Sequence, residues 1–409
     1  MLNQETIDII KSTVPVLEQH GTDITKAFYK RMFKMHPELK NVFNQTNQKK
    51  NRQQEALANV VYHAAKHIDE LHTLAGVVEG IAHKHRSIGI RPDQYPIVGE
   101  NLLAAIKEVL GEAATDEIIN AWAEAYGELA KIFIGEENAL REGIKERGGW
   151  DDYKPFIVAR KVPESEVITS FYLKPQDGRP LPTYSPGQYL SVRVQPTEQA
   201  NTQIRQYSLS DAYSPEYYRI SVKREAGREG LPDGIVSTYL HHEIQEGDCV
   251  WVSAPAGEFT LNLESKKPIV LISGGVGLTP LTSMAKTWKQ QGAIQNLTWI
   301  HAAINGSVHA LKEEMRTLDK ENDTFKCYTV YERPTEEDRE NKAFDKEGYI
   351  DLLWLKQVLD TKEAEFYFCG PEPFMKAIYN CLLKWGVQES SIHFEFFGPS
   401  MALEEEVTA

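Results

Sequence analysis

The chain has 409 residues, 41% hydrophobic and 25% charged, which suits a soluble globular protein of two or three domains with ample length to bury cores. Its 45 Lys and Arg stand against 59 Asp and Glu, a formal net charge of −14. With no basic block interleaved with aromatics, that balance argues against nucleic-acid or anionic-membrane binding.

The opening residues, MLNQETIDIIKSTVPVLEQ, lack a basic segment followed by an apolar run, so no secretory signal is expected. No stretch approaches the ~18 apolar residues of a membrane span. Up to about residue 150 apolar residues recur at helical spacing, as in NLLAAIKEVLGEAA (101–114) and TDEIINAWAEAYGELAKIFI (115–134). KERGGWDDYKP (145–155) carries a Gly-Gly pair and a Pro among charges and reads as linker. Alternating strands follow: FIVARKV (156–162), VITSFYL (167–173), QYLSVRV (188–194) and YRISVKR (218–224). From Pro268 the apolar run PIVLISG precedes a glycine-rich turn and a helix, and NLTWIHAAI (296–304) and EFYFCG (365–370) read as further buried parallel strands. The expected boundaries are a helical domain at 1–140, a linker at 141–155, an antiparallel β-barrel at 156–264, an α/β nucleotide-binding domain with a parallel sheet at 265–399, and a solvated acidic tail at 400–409. Cys249, Cys327, Cys369 and Cys381 are widely spaced and form no C-x-x-C. This argues against a zinc ribbon, an iron–sulfur cluster or a disulfide framework, and points to a reducing cytoplasm.

GIAHKHRSIG (80–89) holds two histidines in what reads as a helix over 74–89. Leu74, Val78, Ile81, His85 and Ile88 step by three or four along one apolar face, whereas His83 falls on a polar one. A buried His85 needs a partner for each nitrogen. A haem iron plus a hydrogen bond satisfies it, and so does a core histidine bonded to a carbonyl. LISGGVGLTPL follows a strand and opens a helix, so Gly275 and Gly277 allow the backbone to approach a pyrophosphate. It is not the G-x-G-x-x-G fingerprint, because Pro280 stands at the third glycine.

The segment TKAFYKRMFKMHPELKNVF (25–43), with Phe43 six residues after Pro37, then QKKNRQQEALANVV (48–61) and His85, resembles a globin haem pocket. Combined with IRQYSLS (204–210), PGQYL, LISGGVGLTPL, FCGPEPF and FEFFGP, residues 1 to about 399 resemble the flavohaemoglobins, bacterial or fungal globins fused to a ferredoxin-reductase-like module. The resemblance implies haem b on His85, flanked by Tyr95 in a loop and Glu137 on the last globin helix, with Glu136 the neighbour that could be confused with it. Tyr29 and Gln53 would face the iron-bound ligand, and Phe43, Leu57 and Lys84 would contact the haem.

The resemblance likewise implies FAD, with Arg205 on the pyrophosphate, Tyr207 on the isoalloxazine, Ser208 near its N5, and Gln206 and Tyr189 beside them. The backbone at Val236 and Ser237 would meet the FAD phosphates, although KREAGREGLPDGIVSTYL is longer there than the family pattern, which fits a surface insertion. NADH, with NADPH left open, would sit on Gly275, Val276, Gly277, Leu278, Thr279 and Pro280, with Cys369, Gly370 and Pro371 near the nicotinamide. Phe396, Phe397, Gly398 and Pro399 would lie near the flavin, and Glu395 between flavin and haem. No cation follows LTWIHAAINGSVH to meet a 2′-phosphate, which favours NADH. The activity implied is NAD(P)H-dependent nitric oxide dioxygenation, consuming O2 and NO in a cytoplasmic monomer. The alternatives are an O2 or NO sensor, and an NADH-flavin reductase serving another acceptor.

Overall fold

Contacts divide the computed structural model, which describes residues 2–43, 51–227 and 232–398, into two units, Met1–Lys154 with Ser191–Arg205, and Pro155–Leu190 with Gln206–Ala409. Pro399 and the acidic tail lie outside the described residues, as do residues 228–231 of the long loop.

The first unit is helical: α1 (Gln4–Ser12), α2 (Val14–Met35), α3 (Arg52–Lys66), α4 (Ala75–Ile88), α5 (Tyr95–Leu110) and α6 (Asp116–Glu146). Local chemistry marks the ends. Asn3 accepts the Thr6 N–H at 2.8 Å to start α1, and Thr115 accepts the Ile118 N–H to start α6. Gly89, at φ +80°, stops α4 one turn after His85. Ile10, Ile24, Phe28, Met32, Leu102, Ile106 and Trp122 form the common core.

The linker expectation is corrected at its start. Residues 141–146 belong to α6, which stays in register as far as buried Ile144. The Gly148–Gly149 pair then ends it: Gly149 N–H returns to Ile144 O at 2.9 Å, and a Cβ on Gly149 would lie 2.4 Å from Ile144 Cγ2.

The barrel strands are β1 (Tyr153–Pro163), β2 (Ile168–Pro175), β3 (Tyr189–Val194), β4 (Gln203–Ser208), β5 (Tyr218–Lys223) and, after the short helix α7 (Ile235–His242), β6 (Cys249–Ser253). Their order is β4-β3-β6-β1-β2-β5. An antiparallel bridge from Leu209, just past β4, to Ile220 on β5 ties the two edges together.

The second sheet holds β7 (Ile269–Gly274), β8 (Leu297–Ala303), β9 (Phe325–Tyr331), β10 (Lys346–Glu347), β11 (Glu365–Cys369) and β12 (Ile392–Glu395), in the order β10-β9-β8-β7-β11-β12 and parallel throughout. The helices α8 (Leu278–Gln290), α9 (Lys312–Glu321), α10 (Glu336–Glu340), α11 (Leu352–Val358) and α12 (Glu372–Trp385) connect these strands. PIVLISG reads as uniformly apolar because both faces are covered. Ile269 and Leu271 pack with α8, while Val270 and Ile272 pack with α11 and α12. The chain leaves β7 toward β8 on one side and meets β11 on the other, so the crevice beyond the ends of β7 and β11 is the switch point where such sheets bind ligands.

Candidate functional site

His85 occupies the last turn of α4 and makes both its described hydrogen bonds through Nδ1: 2.9 Å to Glu137 Oε1 and 3.2 Å to the Tyr95 hydroxyl. Tyr95 donates to the same Glu137 oxygen at 2.5 Å. Because a carboxylate only accepts, Nδ1 is the donor, and Nε2 is the ring nitrogen left available for a ligand. Glu137 is fully buried, and desolvation together with Glu137 raises the Tyr95 phenol far above its ordinary range, so it stays a donor. Tyr95 heads α5 rather than sitting in a loop, placed there by the preceding turn Pro92–Gln94. Tyr126 donates to Tyr95 O at 2.7 Å, and its ring lies where a side chain on Gly99 would be, 2.6 Å from a Cβ there. It is Glu137, and not Glu136, whose carboxylate reaches the imidazole.

Two companions escaped the sequence reading. Phe133 and Arg141 lie four residues either side of Glu137, on one face of α6. The Phe133 ring centroid is 6.1 Å from that of His85. The half-buried Arg141 side chain donates to Ile90 O, and its guanidinium lies 3.8 Å from Glu137 Oε2 and 3.5 Å from Asp151.

Elsewhere in the helical unit, Tyr29 is buried among Phe28 (4.8 Å between centroids), Phe33 and Phe43 (5.8 Å each). Leu57 packs against the same cluster, and Gln53 stands half-buried one turn before it on α3. Thr25 donates to Gln54 O at 2.9 Å, fixing the start of α3 on α2.

The stripe Leu74, Val78, Ile81 and His85 is half-buried, not buried. The enclosed positions of α4 are Ala82, Arg86 and Ser87, small or polar residues that hydropathy does not flag. His83 is corrected too: burial first, then Arg86 and Arg147, press its pKa down to about 4, so it is not on a solvated face. Lys84 has exposed surface, yet desolvation lowers its ammonium pKa, which places it in a crowded recess. A half-exposed apolar stripe carrying an imidazole with an available Nε2 fits a flat apolar group with an iron at its centre.

In the second unit two strand-end turns lie back to back. A Cβ on Gly277 would fall 2.1 Å from Cys369 O, and Cβ atoms on Gly274 and Gly370 would both strike the Phe374 ring. Gly275 takes φ +54°, which turns the chain from β7 into the 3₁₀ turn Gly275–Gly277 and α8. Val276 O accepts from Thr279, and Leu278, Thr279 and Pro280 form the buried first turn of α8. The backbone N–H groups there suit a pyrophosphate.

Cys369 is fully buried, and burial with Glu395 raises its thiol pKa well above the usual range, so it remains protonated. Glu395 pairs with Cys369 across β11 and β12. Its carboxyl is pushed up to about 8 by desolvation and by Glu258, and its Oε2 has no hydrogen-bond partner among the described residues. Gly370 and Pro371 follow β11, Phe396 packs on the core, and Phe397 and Gly398 are exposed.

On β4, Arg205 and Tyr207 share one half-buried face, while Gln206 and buried Ser208 alternate to the other. The Tyr189 ring covers Gly257, where a Cβ would lie 3.0 Å away. Val236 and Ser237 open α7, with Ser237 Oγ already engaged by Glu225 N–H at 3.2 Å. The long loop is closed at its base, Gly234 N–H to Glu225 O at 2.8 Å and Gly227 N–H to Asp233 at 2.6 Å. The insertion therefore leaves the helix start formed.

Residues 26–133 match the globin family, and residues 271–380 match the oxidoreductase NAD-binding domain family. The flavohemoprotein of Bacillus thuringiensis subsp. konkukian is 54% identical over 405 residues, 99% of this chain and 100% of that protein. That of Bacillus subtilis is 50% identical over 408 residues, all of both chains. The crystal structure of a Malassezia yamatoensis flavohemoglobin with bound FAD and haem superposes with a TM-score of 0.84 at 25% identity, covering 97% of this chain and 100% of that one. The flavohem-like FAD/NAD-binding domain of a Vibrio cholerae nitric oxide dioxygenase matches 61% of this chain and 100% of its own, at 37% identity and a TM-score of 0.55. With a globin-type imidazole site, a closed flavin-type barrel and a nicotinamide-type sheet in one polypeptide, the chain belongs to the flavohemoprotein family of oxidoreductases.

Proposed function

We propose that this oxidoreductase is a nitric oxide dioxygenase, using NADH, FAD and haem b to convert NO and O2 to nitrate. The observation that carries the reading is the His85–Glu137–Tyr95 network, which engages Nδ1 and leaves Nε2 as the ring nitrogen that would meet an iron. The Vibrio cholerae relative, itself a nitric oxide dioxygenase, adds support. When bound, FAD would take a hydride from NADH and pass electrons singly to the haem, which supplies the one-electron and O2 chemistry.

The chain's own residues do the rest. Glu137 accepts from His85 Nδ1, which gives the imidazole anionic character, and Tyr95 shares that carboxylate and fixes its rotamer. Tyr29 supplies a hydroxyl among aromatic rings that keep water out, with Gln53 one turn before Leu57 at the same pocket. Gly275 to Pro280 would hold the pyrophosphate of the nicotinamide nucleotide, and Arg205 with Tyr207 would hold FAD. NADH is favoured over NADPH because LTWIHAAINGSVH, at and after β8, offers no Lys or Arg to meet a 2′-phosphate. The four free thiols suit a reducing cytoplasm.

The test is anaerobic addition of NADH followed by O2 and NO. Flavin bleaching, then a ferrous haem spectrum, then nitrate in step with NO consumed, is the expected sequence. Haem that stays ferric, or nitrate that does not form, overturns the reading. Tyr29→Phe should speed O2 dissociation by about tenfold, as loss of one hydrogen bond of about 1 kcal/mol or more allows. An unchanged off-rate removes Tyr29 from the role.

A further inference from the structure

Four charges that no cofactor turn uses are gathered inside the second unit. Arg219 on β5 is 1% exposed, and its guanidinium fork meets Glu314 on α9 at 2.5 and 3.1 Å. Its Nε lies 3.6 Å from Asp211. Lys286 on α8 closes the square, 2.5 Å from Asp211 and 2.9 Å from Glu314. Two cations and two anions balance around the buried Arg219 and Asp211, with Lys286 and Glu314 partly exposed. Burial alone would lower the Arg219 pKa, but Glu314 and Asp211 overcome it and raise it; desolvation opposes, yet Arg219 and Lys286 hold Glu314 below its usual range.

The cluster's position matters more than its charge. Asp211 is three residues past Ser208, the end of the strand expected to carry FAD. Its backbone is pinned as well: Arg219 donates to Ser210 O, Ser210 N–H returns to Arg219 O at 2.9 Å, and Tyr184 donates to Asp211 O at 2.6 Å. Lys286 lies eight residues, about 12 Å of helix rise, beyond Leu278 on α8, the helix that leaves the Gly275–Gly277 turn. One square of ion pairs thus bolts the flavin strand to the nucleotide helix.

We propose that Arg219, Lys286, Asp211 and Glu314 are positioning residues that set the distance between flavin and nicotinamide for hydride transfer. The proposal rests on the NADH-to-FAD route and is independent of what the haem does. Hydride transfer needs reacting atoms about 3–3.5 Å apart, so a small slip between the two supports costs rate before it costs binding.

The test is anaerobic stopped-flow reduction of the FAD-loaded full chain by NADH, with no NO present. Lys286→Met is the first variant, because this side chain is 28% exposed and its loss leaves the Arg219–Glu314 fork in place. The expected result is a limiting flavin-reduction rate about tenfold lower, with FAD content, NADH dissociation constant and dithionite reduction unchanged, and a weaker charge-transfer band between reduced flavin and NAD+. Lys286→Arg should restore most of the rate. Glu314→Gln combined with Lys286→Met should be less than multiplicative with the single variants, because both act on one square. A Lys286→Met protein that loses thermal stability but keeps the wild-type limiting rate and charge-transfer band overturns the proposal. So does a fully multiplicative double variant. If Lys286→Met does not hold FAD, the Lys286→Arg and Glu314→Gln proteins decide: wild-type limiting rates and charge-transfer bands in both overturn the proposal, and a lowered rate in Glu314→Gln supports it.

Discussion

Two histidine sites in this chain are built from the same ring and opposite partners. His85 in the helical unit meets a carboxylate, Glu137, and a phenol. In the nucleotide-binding sheet, the hydrogen-bond partner of His301 among the described residues is Ser273 Oγ at 2.7 Å, and that of His309 is the Tyr331 hydroxyl at 2.9 Å. Their rings lie tilted at 36° with centroids 4.4 Å apart, deep in the core. Desolvation presses His301 down to about 3, and His309 well below its usual value, with His301 adding to it. A carboxylate makes an imidazole a strong ligand, whereas hydroxyl partners and burial make it a neutral packing piece. The groups beside each ring separate the histidine proposed to hold the haem from the pair packed in the sheet, and the ring alone does not.

The largest effect should come from exchanging the rings. His85→Ala should lose the haem Soret band and NO consumption while NADH still reduces an artificial acceptor, whereas His301→Asn should keep both. Retained haem in the first, or lost haem in the second, breaks the contrast. Next is Glu137→Gln, which keeps the shape and removes the charge. NO turnover should fall about 10–100-fold, the usual range for a partner behind a metal-bound histidine, with a weakened iron–histidine vibration. An unshifted vibration would remove the carboxylate from its role.

The smallest effect is on stability. Between about pH 6.5 and 3 the unfolded chain protonates His301 and the native one does not, so stability is full above the unfolded pKa and falls as pH drops below it. The slope is at most about 1.4 kcal/mol per pH unit for each proton excluded. Equilibrium unfolding from pH 7 to 5 should show it in wild type, with a shallower slope in His301→Asn. Equal slopes would mean that the pair accepts protons in place.

How far the sequence could be read depended on the range of the contact involved. The strand at 156–162 was legible from alternation between neighbours two residues apart, and that at 268–274 from a short continuous apolar run bounded by Pro and Gly. Gly275 was legible because the turn needs its positive φ locally, whereas the reason for Gly277, the approach of Cys369 O from another strand end, is a tertiary one. The strands Cys249–Ser253 and Phe325–Tyr331 were not, since Cys, Lys and exposed Trp251 blur their alternation. The helix running on to Glu146 was missed because charged residues hide the buried Ile144. For the site, the residues carried by the family resemblance were named in advance, whereas Phe133 and Arg141 gave only a four-residue spacing.

The sequence by itself determined the order of three architectures, the punctuating turns, and the presence of one histidine in an apolar helical stripe. Only the tertiary structure decided which groups that histidine meets. Glu137 is 52 residues away and Tyr95 is 10, and packing of α4 against α6 brings one carboxylate, and not its neighbour, to Nδ1. The square of charges at Arg219 is likewise invisible in one dimension, because its members are 95 residues apart across Arg219–Glu314 and 28 across Lys286–Glu314. Periodicity is a property of neighbours along the chain, but a carboxylate, a guanidinium or an imidazole acquires its role from the groups that folding places beside it.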